Sequence, residues 1–345
     1  MRLSIQHHAQ GLRRPSIPKV SVIIPLYQSE RFICDTLRSV QAQTFTDFEI
    51  VVVNDGSSDG GPALAEEFGE PRLRVVHQEN RGLAGARNGG IAHAKGEYLA
   101  FLDADDLWLP TKLQRHVEHL DSDPQIGVSF SASALMDDDA KDIGLVQKPI
   151  GSTFDAVSVF CRNPVGNGSA PVIRRETLDA IAFFDKERGR NCWFDESFRQ
   201  SEDIECWTRI AATTDWKFGY VDAPLTRYRV NLQGLSANVE AQLATWRRFR
   251  RKVASYAPAL EAGAGNLAEA YQLRYLARRA IRSSRYAQGL TLVWEALMLE
   301  PRILLVEPTR TLTTLTAGIV GVILPRALVE RMARVAMSCA ASMRV

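Results

Sequence analysis

Tyr98-Leu99-Ala100-Phe101-Leu102-Asp103-Ala104-Asp105-Asp106 is an apolar run that ends abruptly in carboxylates. Unbroken apolar residues over Tyr98–Leu102 predict a strand covered on both faces, as in a parallel sheet. The carboxylates of Asp103, Asp105 and Asp106 repel one another unless a cation sits among them. Hard oxygen ligands suit Mg²⁺ or Mn²⁺, which bridge protein carboxylates and substrate phosphates. The same residues also suit a solvated turn that caps a helix near Pro110–Leu120.

Upstream, strands and helices alternate. Val20-Ser21-Val22-Ile23-Ile24 is a β-branched run ending at Pro25, and Phe32, Ile33, Leu37 and Val40 recur at helical spacing over Glu30–Gln43. Ile50-Val51-Val52-Val53 ends in Asn54-Asp55-Gly56-Ser57-Ser58-Asp59. A helix over Pro62–Phe68, a strand over Leu73–His77 and a helix over Gly82–Ala94 follow. This alternation predicts an α/β fold around a parallel sheet, with ligands outside the carboxyl ends of the strands. Pro25, Asp55 and Asp103 fall on that rim. Asp55 can accept hydrogen bonds from a nucleobase or ribose. In Asn80-Arg81-Gly82-Leu83-Ala84-Gly85-Ala86-Arg87-Asn88, small residues allow close backbone approach, and Arg87 offers an anion-binding fork or a plain surface position. The stretch is neither a Walker A loop nor a GxGxxG fingerprint.

Val22-Ile23-Ile24-Pro25-Leu26-Tyr27, Val53 through Asp59, Asn80 through Asn88 and Phe101 through Asp106 together resemble, in order and spacing, the inverting family 2 glycosyltransferases with the GT-A fold. The resemblance covers Val20 to Arg229. It implies a nucleotide-binding, mostly parallel sheet flanked by helices, with a catalytic domain over 20–235. It implies that Pro25, Tyr27 and Asp55 hold the base and ribose, that Arg87 meets the diphosphate, and that Asp103 meets the ribose or sugar. Asp105 would ligate a divalent metal, Mn²⁺ or Mg²⁺. Gln28 stands where the family usually has Asn.

The resemblance continues in Phe194-Asp195-Glu196 and Ser201-Glu202-Asp203-Ile204-Glu205-Cys206-Trp207. Glu202-Asp203 is similar to the family's Glu-Asp catalytic pair, which makes Asp203 the general base with Glu202 beside it. The same carboxylates also suit the start of a helix, where its dipole favours them. Gly168 and Ser169, at the end of Asn163–Ser169, fall in the region that lies near the acceptor, to which Trp207 and Arg229 are also assigned. Many members place a metal-side His where this chain has Asn231. Either the metal rests on Asp105, phosphate oxygens and water, or this segment moves.

The implied activity is inverting transfer from a nucleoside-diphosphate sugar, uridine-linked, to a glycan, lipid-linked or other hydroxyl acceptor in cell-envelope polysaccharide synthesis. The alternative is a non-catalytic carbohydrate-binding scaffold that keeps the GT-A fold. A sugar nucleotidyltransferase would need a Gly-rich loop where Pro25-Leu26-Tyr27-Gln28 stands.

The chain has 345 residues, 46% of them hydrophobic, and a net charge of only +2. The charge is unevenly spread. Residues 241–345 hold 16 Lys and Arg against 6 Asp and Glu, whereas residues 1–240 hold 26 against 34. An acidic front half does not suit nucleic acid, and a basic tail suits an anionic partner such as membrane phospholipid. Five scattered cysteines without a CxxC pair suit free thiols in a reducing cytoplasm, not zinc. Residues 1–19 read as a loose leader without a signal-peptide core. Residues 240–345 read as a helical region, with helices over Ala241–Tyr256, Asn266–Ser283 and Tyr286–Leu299. The apolar run Leu315–Leu324 falls short of the roughly 20 residues a spanning helix needs. Ala327–Met343 alternates apolar residues with Arg331 and Arg334. This region is expected to meet a membrane's cytoplasmic face, a partner or the catalytic domain.

Overall fold

The computed structural model describes residues 17–230, 239–324 and 328. Most of the leader, Asn231, and all of Ala327–Met343 except Leu328 lie outside the described residues.

The first half is built of repeated strand–helix crossovers. β1 (Val20–Leu26) and β2 (Phe48–Asp55) are buried along their lengths and run parallel, with Val20 opposite Phe48 and Leu26 opposite Asn54. β3 (Leu73–Gln78) pairs with β2, and β4 (Tyr98–Phe101) pairs with the other side of β1, both parallel. The connecting helices are α1 (Ile33–Gln41), α2 (Gly61–Glu66) and α3 (Gly82–His93). Strand side chains alternate between faces. Val22 and Ile24 therefore join Leu37 and Val40 of α1, whereas Ile23 joins Ala84 and Ile91 of α3.

Beyond β4 the sheet becomes mixed. The chain runs through β5 (Leu107–Trp108), α4 (Lys112–Ser122), β6 (Ile126–Met136), β7 (Asp142–Gln147) and α5 (Ala156–Arg162). Then come β8 (Val172–Arg174), α6 (Arg175–Asp179), the hairpin of β9 (Phe183–Asp185) and β10 (Arg190–Cys192), α7 (Glu202–Thr213) and β11 (Lys217–Arg229). The strand order is β3-β2-β1-β4-β8-β6-β11-β5, with β7 on β6. β8 is antiparallel to both β4 and β6, and β6 and β11 are parallel.

The stretch Trp216–Val221 predicts a last strand that ends near Val221. β11 instead continues to Arg229, with register shifts on either side of Pro224. Proline donates no ladder hydrogen bond, so the strand passes it through irregular pairing. The extension matters because it carries Arg229 to the acidic turn after β4.

The C-terminal third is helical: α8 (Val239–Tyr256), α9 (Pro258–Arg282), α10 (Tyr286–Leu299), α11 (Ile303–Val306) and α12 (Pro308–Ile323). α9 starts earlier than its apolar periodicity suggests, with Pro258 in its first turn, where a missing N–H costs nothing. Trp246, Phe249 and Val253 of α8 pack with Phe160 of α5 and with Phe198. The Phe160 and Trp246 rings stack at 6.1 Å. Lys252 Nζ reaches Asp195 at 2.6 Å and Glu205 at 3.0 Å. α8 therefore grips the segment that enters α7. Among the described residues no helix is long and apolar enough to cross a membrane.

Candidate active site

The acidic turn sorts its carboxylates by direction. Asp106 N–H donates to the Asp103 carbonyl at 3.0 Å and closes the turn. Asp106 is 0% exposed. Its carboxylate accepts from Ser169 Oγ at 2.6 Å and from Arg229 N–H at 2.8 Å. Thr36 Oγ1 donates to the carbonyls of Ala104 and Asp106. Arg229 Nε donates to the Asp105 carbonyl at 2.8 Å, and Nη1 donates to the carbonyls of Asp137 and Asp138. Asp106 thus anchors the turn from inside, and Asp103 and Asp105 remain half-buried at its face. Burial and then repulsion by Asp103 push Asp105 up to about 6. Burial, with repulsion from both neighbours, holds Asp106 well above the ordinary carboxylate range.

Arg87 on α3 joins this turn to α7. It is 2% exposed. Nη2 donates to Asp103 Oδ1 at 2.9 Å, and Nη1 donates to Glu202 Oε1 at 2.8 Å. Burial opposes the guanidinium charge, but Asp103, Glu202 and Asp203 outweigh it and raise its pKa. Burial pushes Glu202 up to about 7, against the pull of Arg87. Asp203 is also shifted upward by burial, again opposed by Arg87. Ser201 enters the helix with φ 63°, and the first turn carries Glu202, Asp203 and Glu205 at the positive end of the dipole. Glu205 is taken up by Arg209 and Lys252.

α3 holds this junction at a second point. Asn88 Oδ1 accepts from the N–H groups of Trp193 and Phe194 at 3.0 and 2.9 Å, and its Nδ2 donates to Phe194 O and Glu196 Oε1. The sequence pattern includes Asn88 in a motif but gives it no role. Its partners lie more than a hundred residues away along the chain, so local spacing carries no sign of them.

The loop before β8 passes directly over the Arg87–Asp103 pair. A Cβ on Gly168 would land on Arg87 Nη2 and lie 3.4 Å from Asp103 Oδ2. Ser169 is fully buried, donating to Asp106 and accepting from Asp103 N–H at 3.0 Å. Two further residues assigned to the acceptor side have packing roles of their own. Trp207 is in the core with its ring 5.8 Å from Phe194, and Arg229 braces the acidic turn from behind.

On the rim, Asp55 is 2% exposed and accepts from Arg81 N–H at 2.9 Å, Gly82 N–H at 2.8 Å and Gln78 Nε2 at 2.6 Å. It shapes the entry to α3. Pro25 is buried at the end of β1, and Tyr27, just beyond, is 52% exposed. Gln28 has φ 49°, the left-handed region that Asn tolerates more readily.

The family model described as Glycosyl transferase family 2 matches residues 21–181. Residues 21–181 of this chain belong to glycosyl transferase family 2. The putative teichuronic acid biosynthesis glycosyltransferase TuaG of Bacillus subtilis is 29% identical over 238 residues, covering 68% of this chain and 88% of the relative. The alignments to the first curated relatives cover 27%, 57% and 30% of their lengths, so the chain spans less than two thirds of each. Among solved structures, Staphylococcus aureus TarS in complex with UDP matches with TM-score 0.56 and 18% identity, over 88% of this chain and 90% of that one. The mannosyltransferase PcManGT of Pyrobaculum calidifontis, in complex with GDP-Man and Mn²⁺, matches with TM-score 0.54 and 22% identity, over 89% and 86%. These structural likenesses establish the GT-A-type fold.

Among the described residues, no three His, Cys, Asp or Glu side chains converge on one cation position. Asp106 is committed internally and Asp103 is paired with Arg87. Asp105 is left as a half-buried hard-oxygen donor. Such a donor fits a divalent ion whose remaining ligands are phosphate oxygens and water.

Proposed function

We propose that this family 2 glycosyltransferase moves a sugar from a nucleoside-diphosphate donor, uridine-linked, to a hydroxyl of a glycan or lipid-linked acceptor, with inversion. The observation that carries the reading is the Arg87 fork between Asp103 and Glu202. It joins the donor rim at the end of β4 to the base motif at the start of α7. The UDP and GDP-Man complexes of the structural relatives support the donor class, and the TuaG name supports an envelope-polysaccharide product.

Asp203 takes the acceptor proton as the hydroxyl attacks the anomeric carbon. A raised pKa makes its carboxylate a stronger base while it remains ionised. Arg87 holds Glu202 and Asp103 in place and disperses the repulsion around Asp203. Asp105 would hold Mn²⁺ or Mg²⁺, which when bound neutralises charge on the departing diphosphate. Tyr27 offers an exposed ring at the rim for a base to stack on.

The test is a panel of UDP-, GDP- and dTDP-sugars incubated with the protein and Mn²⁺, read as nucleoside diphosphate released. Release from a uridine-linked donor, abolished by EDTA, is expected. No release from any donor would instead favour a non-catalytic scaffold.

A further inference from the structure

A cavity of about 520 Å³ opens beside the base motif between β7, α5, the start of α7 and helices α8 and α9. Lys148, Arg162, Arg274, Arg278 and Arg310 line it, and among the described residues no Asp or Glu does. Counter-charge is scarce among the described residues. Behind the wall, Glu307 is shared by Arg162 at 2.6 Å, by Arg274, and by Arg310 at 3.5 Å. Lys148 faces Asp222 at 3.6 Å. Arg278 is exposed and makes no salt bridge among the described residues; partial desolvation and the charges of Arg282, Arg310 and Arg274 lower its pKa, opposed by Glu307. A surplus of guanidinium groups with one carboxylate among them is an anion site, because each fork can grip phosphate oxygens in pairs.

The other end of the cavity reaches the chemistry. Ser201 and Ile204, which flank Glu202–Asp203, line it, as do Asn163 and Gly166 of the loop that leads to Gly168. Trp246, Tyr271 and Tyr275 give it aromatic walls. A donor diphosphate has no use for this cavity, since the acidic turn serves that group from the opposite chemistry, through a cation.

We propose that the cavity binds a phosphate or diphosphate group carried by the acceptor and so sets the acceptor hydroxyl toward Asp203. This rests on the transfer reading above. It narrows the acceptor to a phosphorylated molecule, either lipid-linked or soluble.

The two phosphate sites differ in metal dependence, which makes them separable. Calorimetry with inorganic pyrophosphate in EDTA reads the basic cavity alone, because the acidic turn without a cation repels the probe. Binding by the full chain is expected. Arg278→Ala with Arg310→Ala should weaken it at least about tenfold. Arg278→Lys should retain most of it and Asp105→Ala should leave it unchanged. An unaltered melting transition in each variant shows that the fold is kept. No binding in EDTA, or equal binding by the double variant, would overturn the proposal. These outcomes do not depend on donor turnover, so failure of the transfer reading would show separately in the donor panel. Flotation with phosphatidylcholine vesicles carrying a polyisoprenyl diphosphate distinguishes the sources. Co-flotation lost in the double variant assigns a lipid-linked acceptor, and pyrophosphate binding without co-flotation assigns a soluble phosphorylated glycan.

Discussion

Arg87 is the residue on which the site turns. Its motif makes it a candidate anion contact, and the structure commits both of its terminal nitrogens to carboxylates. Removing it leaves Asp103, Glu202 and Asp203 without a counter-charge in a buried place. Arg87→Met should therefore cost about 3–5 kcal/mol, measurable by urea unfolding. It should also change the pH profile. The guanidinium favours the ionised forms of Glu202 and Asp203, so its loss raises both pKa values further. A base must be ionised to work, and the acid limb of kcat/KM should move to higher pH. An unmoved limb would separate Arg87 from the base. Residue roles were only partly legible in the sequence. Asp105 and Asp106 are adjacent and chemically alike. Which one turns inward is decided by the hydroxyl of Ser169 and the amide of Arg229, both far along the chain. Trp207 likewise follows the base motif, but α7 turns its ring into the core.

At the scale of elements, the crossovers from β1 to β4 were readable because the apolar runs Val20–Ile24, Ile50–Val53 and Tyr98–Leu102 each stop at a proline or polar residue. The second half was less readable, since β8 is only Val172–Arg174 and β11 runs on past Pro224. Yet these short and irregular strands position the acidic turn. Asp106→Ala would strand Ser169 Oγ and the Arg229 amide, at a cost of about 1–3 kcal/mol by urea unfolding. Gly168→Ala should push Arg87 off Asp103. Overpacking of this kind costs about 1–3 kcal/mol and should lower kcat as well. Full activity with an unchanged unfolding midpoint would show that the loop has more room than its contacts imply.

At the scale of the whole molecule, α8 and α9 pack on the body that carries the candidate site. The sequence of the helical tail left membrane, partner and core packing open. α8 settles its own case by burying Trp246 and Phe249 against α5 and by placing Lys252 between Asp195 and Glu205. Phe249→Ala should destabilise the chain by about 3–5 kcal/mol in urea unfolding. A stable chain ending before α8 would contradict this. The later helices are different. Leu305, Val306, Leu312, Val322 and Ile323 are exposed on α11 and α12, and a membrane or a partner remains the expected contact of this apolar surface. Flotation with anionic vesicles should capture the full chain and lose the chain truncated after Val306.

The central claim is that Asp203 removes the acceptor proton in a site whose donor end it does not touch. It is tested most directly by Asp203→Asn. Transfer from the accepted sugar nucleotide should fall by about 100-fold or more, while calorimetric binding of its nucleoside diphosphate with Mn²⁺ stays at the level of the unsubstituted protein. Retained transfer by Asp203→Asn would contradict the account.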